Sequence, residues 1–143
     1  MKELRTEVII DAPVDIVWKI LTETGAYPEW NPFIREIEGK LEEGKRFKVK
    51  LQPPGSSPMV FKPVCLSLKR DRELIWLGHL LIRGLFDGKH IFELNAIGPT
   101  KTKLVQREEF SGLLVPFFWK QLDRNTRTGF EQMNQKMKER AEK

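Results

Sequence analysis

Apolar and polar residues alternate singly at the start of the chain, with Leu4, Thr6, Val8 and Ile10 set against Arg5, Glu7 and Ile9. A period of two predicts a half-buried strand. Asp11-Ala12-Pro13 ends it and opens a helix, with Pro13 at the first helical position, where its missing N–H costs nothing. Val14, Val17, Trp18 and Leu21 recur at i, i+3, i+4 and i+7, so one face is apolar until Gly25 closes the helix. Tyr27-Pro28-Glu29-Trp30-Asn31-Pro32-Phe33 then places two prolines and three aromatics within seven residues. It predicts a turn or short helix with large side chains packed beneath it.

From Ile34 to Phe110 the period is mostly two. Phe47, Val49 and Leu51 alternate with Arg46, Lys48 and Lys50, giving an apolar face and a basic face. Pro53-Pro54-Gly55-Ser56-Ser57-Pro58 is a loop. Met59–Leu68 and Leu74–Ile82 read as two long strands, and Lys89–Ala96 and Thr102–Phe110 as a further pair around Gly98-Pro99-Thr100. Connections this short imply an antiparallel meander. After Gly112 the period lengthens: Phe118, Leu122, Thr126, Phe130, Met133 and Met137 recur every three or four residues, predicting a long helix from about Pro116 to the end. The fold class is α+β, a curved antiparallel sheet of about seven strands gripping the C-terminal helix. One domain is expected over residues 1–143.

The hairpin around Gly98-Pro99-Thr100 fixes a register. A five-residue loop opposes Leu94 with Leu104, Phe92 with Gln106, and His90 with Glu108, whose β-carbons would lie roughly 5 Å apart. A carboxylate at that distance favours the imidazolium and orients the ring, as general acid–base chemistry requires. The same pair also serves if the two groups simply satisfy one another in a wet part of the core. Gln106 adds an amide able to hold a ligand carbonyl.

Composition narrows the class. Forty per cent hydrophobic and 31% charged residues describe a chain that folds. Cys65 is the lone cysteine, so no intramolecular disulfide exists, and with only His79 and His90 a histidine-rich metal centre is not expected. No glycine-rich phosphate loop or nucleophile elbow occurs, so no cofactor is expected. No apolar run spans a bilayer and Met1-Lys2-Glu3-Leu4 does not open a signal peptide, which points to a cytoplasmic protein without stable membrane anchoring. The net charge of +5 includes Arg46, Lys48 and Lys50, supported by Lys62, Lys69, Arg70 and Arg72. Without interleaved aromatics this reads as a solvated face and not a nucleic-acid site. The aromatics are unusually apolar: nine Phe and four Trp to one Tyr.

The strand running into Asp11-Ala12-Pro13, with Val17-Trp18 beyond, the segment Tyr27–Phe33, and Gly84-Leu85-Phe86-Asp87-Gly88 with His90 and Phe92 form one set of markers. With Glu108-Glu109-Phe110-Ser111-Gly112-Leu113-Leu114, they resemble the START-like helix-grip (SRPBCC) superfamily, in its polyketide cyclase/dehydrase group. The resemblance covers nearly the whole chain. It implies a cavity between sheet and long helix that holds hydrophobic small molecules, lipid or polyketide-like, and enzymatic activity in only some members. Its candidate walls here are Trp30, Phe33, Phe47, Trp76, Leu80, Phe86, Phe92, Phe118, Leu122 and Thr126, with His90, Gln106 and Glu108 at a polar end. His90 with Glu108 is the candidate acid–base pair of a cyclase/dehydrase-type enzyme.

Two features stay open on sequence. Thr126 and Gly129 interrupt the helical stripe, either to leave room for a ligand or to let the sheet approach closely. The run Gly112-Leu113-Leu114-Val115-Pro116-Phe117-Phe118-Trp119 is either a buried strand-to-helix corner or a membrane-touching gate. The expected partner is a hydrophobic small molecule, and the expected state a monomer or weak homodimer. An interaction module using the exposed sheet face is a third reading.

Overall fold

In the computed structural model, residues 1–80 and 82–143 are described, with the side chain of Leu80 outside that set. The described residues form eight strands and three α-helices. β1 (Lys2–Ile10) buries Leu4, Thr6 and Ile10 and leaves Arg5 and Glu7 in solvent, as its alternation requires. α1 (Val14–Thr22) turns Val17 and Leu21 fully into the core. Pro13 stands just before it in extended conformation, one residue earlier than expected, and the helix stops at Thr22. Gly25 belongs instead to a 3-10 turn, Thr24–Ala26, that leads into α2 (Tyr27–Trp30).

β2 (Ile34–Glu38), β3 (Lys48–Leu51) and β4 (Met59–Phe61) make one antiparallel sheet. β5 (Val64–Lys69), β6 (Glu73–Leu80), β7 (Phe86–Gly98) and β8 (Lys101–Ser111) join β1 in a second, ordered β1-β8-β7-β6-β5. The long strand expected over Met59–Leu68 is therefore two strands. Pro63 has no N–H to give a ladder and breaks the segment there. The sheets still meet: Phe47 N–H donates to the Pro63 carbonyl (3.1 Å) and Cys65 N–H to that of Lys45 (3.0 Å), around an isolated bridge between Arg46 and Val64. The result is a curved antiparallel wall of eight strands, one more than expected.

α3 (Val115–Ala141) packs on β1, β8, α1 and α2. Its two halves differ. Phe130, Met133 and Met137 are wholly buried, whereas Leu122 and Thr126 are half-buried and Phe118 is exposed. The C-terminal half is the core helix, and the N-terminal half is packed more openly, with Val115 buried and Trp119 against Phe110 of β8.

The segment between α2 and β2 works as a wedge. Asn31 Oδ1 accepts from the N–H groups of Phe33 (3.0 Å) and Ile34 (2.8 Å), a turn that drives Phe33 inward against Phe130. The ring lies where a β-carbon on Gly129 would stand. Gly129 thus admits Phe33, which decides between its two readings in favour of close approach.

The entry to α3 is not a buried corner. Val115 is buried, but Leu113 is 74% and Phe117 80% exposed. On the basic face, Lys48 meets Glu38 at 3.4 Å and Lys50 pairs across the ladder with Glu36, so the charges there are mixed.

Candidate functional site

A cavity of about 130 Å³ opens between the N-terminal half of α3 and the concave wall. Its sides are apolar: Phe33, Val49, Leu51, Met59, Phe61, Trp76, Phe86, Phe110 and Leu122, with Pro53 and Pro63. Its polar groups are Asp87, His90, Glu108 and Thr126.

Of the expected wall residues, the structure brings Phe33, Trp76, Phe86, His90, Glu108, Leu122 and Thr126 onto this surface. Others lie elsewhere. Trp30 packs edge-on against Tyr27, beneath α2 and away from the cavity. Phe47 and Phe92 stand behind Trp76, each edge-to-face with it, and form the layer that holds its indole. Gln106 is fully buried one layer deeper, and Phe118 leans on Phe86 at the exposed rim. Leu80 is outside the described side chains. Val49, Leu51, Met59 and Phe61 are additions. The apolar face of Phe47-Val49-Leu51 announced the first two, and treating Pro63 as a break would have set the parity of the others.

The β7–β8 register is the one implied by the hairpin loop: His90 opposes Glu108 and Phe92 opposes Gln106. Trp76 opposes His90 on the other side. Gly88 and Glu108 are also fitted to one another, since a β-carbon at Gly88 would sit 2.3 Å from Glu108 Oε2. His90 is enclosed by Trp76, Phe92 and Phe130, with ring centroids 4.8, 4.6 and 4.9 Å away.

This apolar enclosure works against the imidazolium–carboxylate form of the expected pair. Burial drives His90 well below its ordinary range, to about 4, against the weaker opposite pull of its hydrogen bond to Gln106. Burial pushes Glu108 up to about 8. Nδ1 of His90 and Oε1 of Glu108 are 3.6 Å apart, too far for a hydrogen bond. Burial thus favours the uncharged form of both groups.

A chain of hydrogen bonds sets the tautomer. Thr6 Oγ1 lies 2.8 Å from the main-chain carbonyl of Gln106, which can only accept, so the hydroxyl donates its one proton there. Thr6 must then accept from Asn134 Nδ2 at 2.9 Å. Asn134 Oδ1 in turn accepts from Gln106 Nε2 at 2.7 Å, and Gln106 Oε1 faces His90 Nε2 at 2.9 Å. Nε2 therefore carries the proton and donates, and the lone pair is on Nδ1, the nitrogen nearer Glu108. The site presents a neutral acceptor beside a carboxylic acid able to donate. Asn134 carries no signal in the sequence, because it falls among the methionines of the buried helical stripe.

Among the described residues no group of three or more histidine, cysteine, aspartate or glutamate side chains could hold a metal ion. Asp87, the remaining titratable group on the cavity wall, is tied up: its carboxylate meets His79 Nδ1 at 2.7 Å and accepts from Gly84 N–H. Burial raises its pKa, but these bonds outweigh that and hold it below its ordinary value. Among the described residues, no helix is long and apolar enough to cross a membrane.

A curved antiparallel wall closed over a long C-terminal helix, with an apolar cavity between them, defines the helix-grip fold. The chain belongs to the polyketide cyclase / dehydrase and lipid transport family, whose model matches residues 1–142. Among solved structures it is similar to a START superfamily protein from Mycobacterium smegmatis (18% identity, TM-score 0.77, covering 98% of this chain and 97% of that one). An aromatase/cyclase from Streptomyces sp. R1128 is similar at 15% identity and TM-score 0.78, over 99% of this chain and 93% of that one. A hypothetical protein from Helicobacter pylori is similar at 14% identity and TM-score 0.81, over 98% and 88%. At these identities the likeness is one of fold. No curated protein matches the chain.

Proposed function

We propose that the protein binds a hydrophobic or aromatic small molecule, lipid- or polyketide-like, with its apolar body against Phe33, Trp76, Phe86 and Leu122 and its polar end at His90 and Glu108. The observation that carries this reading is an apolar cavity with His90 and Glu108 side by side on adjacent strands of its wall. A cavity volume of about 130 Å³ suits one ring or a short chain, with any remainder in the mouth beside α3. Native mass spectrometry of freshly purified protein, followed by solvent extraction, tests it: a bound apolar molecule is expected. Protein that arrives empty and takes up no apolar probe on titration defeats the reading.

A second reading is favoured by the neutral pair itself. In a cyclase/dehydrase-type reaction, His90 Nδ1 would take a proton from the carbon beside a carbonyl. Glu108 would give its proton to a β-hydroxyl leaving as water. Return of the proton from the resulting imidazolium to the carboxylate restores both groups. Conversion abolished in His90→Ala, with ligand binding retained, would support catalysis; binding without turnover supports a carrier.

A further inference from the structure

We propose that the inner end of the cavity selects ligands whose polar group is an un-ionised hydroxyl, phenolic or enolic, and discriminates against carboxylates of the same shape. This rests on the ligand-binding reading above and adds what the polar end must be. The hydrogen-bond chain from Thr6 through Asn134 and Gln106 leaves His90 Nδ1 an acceptor. Beside it, 3.6 Å away, Glu108 presents a carboxyl group over the bare α-carbon of Gly88. An oxygen about 2.8 Å from both atoms completes a triangle with that edge. To satisfy both it must donate to Nδ1 and accept from the Glu108 hydroxyl, and one hydroxyl does both. A hydrocarbon leaves the buried His90 and the half-buried Glu108 unpaired, which is costly. A carboxylate has no proton for Nδ1, and enters only if one proton is taken up with it.

Every element packed around the pair agrees with this. β6 contributes Trp76, β8 adds Gln106 and Phe110, and α3 adds Thr126, Phe130 and Asn134, none of them charged. β3 and β4 bring apolar side chains. On β7 the nearby charge is Asp87, already held by His79 and Gly84, so no cation on the described wall stands ready for an anion.

The test compares three single-ring probes of one shape, p-xylene, p-cresol and p-toluate, by calorimetry on the full chain. p-Cresol is expected to bind at least tenfold tighter than p-xylene, with an affinity flat between about pH 5.5 and pH 7.5. p-Toluate is expected to bind more weakly than p-cresol, with affinity rising about tenfold for each pH unit lowered and one proton taken up. The same slope in His79→Gln assigns that proton to the inner pair. In Glu108→Leu the cresol-to-xylene ratio should fall to within threefold, and His90→Phe should act alike; the wild-type comparison decides if either variant fails to fold. Binding of p-xylene as tight as p-cresol, or of p-toluate without proton uptake, overturns the proposal and leaves hydrophobic binding standing. Failure of all three probes to bind overturns the ligand-binding reading itself.

Discussion

The ring of Phe33 fills the space that a side chain on Gly129 would need, with Cδ1 only 2.4 Å from where a β-carbon would be. A mid-helix glycine costs about 1 kcal/mol relative to alanine, yet here alanine would push on a ring already wedged edge-to-face against Phe130. Overpacking of this kind costs about 1–3 kcal/mol, which exceeds the gain in helix propensity. Gly129→Ala should therefore lower stability by about 1 kcal/mol in urea unfolding. Phe33→Leu in the same chain should remove most of that increment. A stabilised Gly129→Ala single variant would show that the wedge yields freely.

The protonation of Glu108 makes stability depend on pH in a direction opposite to an ordinary carboxylate. Its folded pKa, about 8, is raised above the unfolded value, so its stabilising contribution is full at pH below the unfolded value and is lost as pH rises through 8. His90 is the converse: its folded value of about 4 is depressed, so its contribution holds above its unfolded value near 6.5 and fades as pH falls toward 4. Wild type should lose a few kcal/mol relative to Glu108→Gln between about pH 5 and pH 8. Chemical denaturation of both proteins across that range measures the difference. A difference independent of pH would mean that Glu108 is already ionised in the fold.

Much of this is legible in the sequence, and the rest is not, for identifiable reasons. The facing of His90 and Glu108 follows from hairpin length and a period of two, both local. Their charge state does not, because Trp76, Phe92 and Phe130 desolvate His90 from β6, β7 and α3. Asn134 was hidden by its position beside Met133 in a stripe whose period is satisfied without it. The split at Pro63 was legible, since proline interrupts a ladder wherever it falls inside one. The exposure of Phe117 was not, because an apolar run entering a helix looks the same whether or not the sheet reaches it.

The tautomer of His90 can be observed directly. With Nε2 protonated toward Gln106 and Nδ1 bare, nitrogen NMR of the imidazole at neutral pH should show one protonated and one unprotonated ring nitrogen, with no exchange average between tautomers. Asn134→Leu breaks the chain at its middle and leaves Gln106 Nε2 buried without a partner, a loss of about 1–3 kcal/mol. In that variant Gln106 is free to turn its amide, and the two tautomers of His90 should mix. An Nδ1-protonated ring in wild type would reverse the whole chain of donors back to Thr6.

Beside the cavity, a side-chain hydrogen bond joins two distant segments. Asn125 Nδ2 on α3 donates to Ser56 Oγ at 3.1 Å, tying the loop between β3 and β4 to the helix. Gln52 Nε2 supports that loop from behind by donating to the Ser56 carbonyl at 2.9 Å. A ligand leaving between α3 and the Pro53–Met59 side must part these segments, while the core half of α3 beyond Gly129 stays in place. A part-buried neutral hydrogen bond contributes about 0.5–1.5 kcal/mol, so removing it should speed exchange by roughly two- to tenfold. Asn125→Ala should raise the dissociation rate of p-cresol by that factor in stopped-flow fluorescence and raise its association rate comparably. Affinity and stability should change little, because the bond is lost from free and bound protein alike. A slower off-rate, or a large loss of affinity with the on-rate unchanged, would place Asn125 against the ligand instead of across the opening.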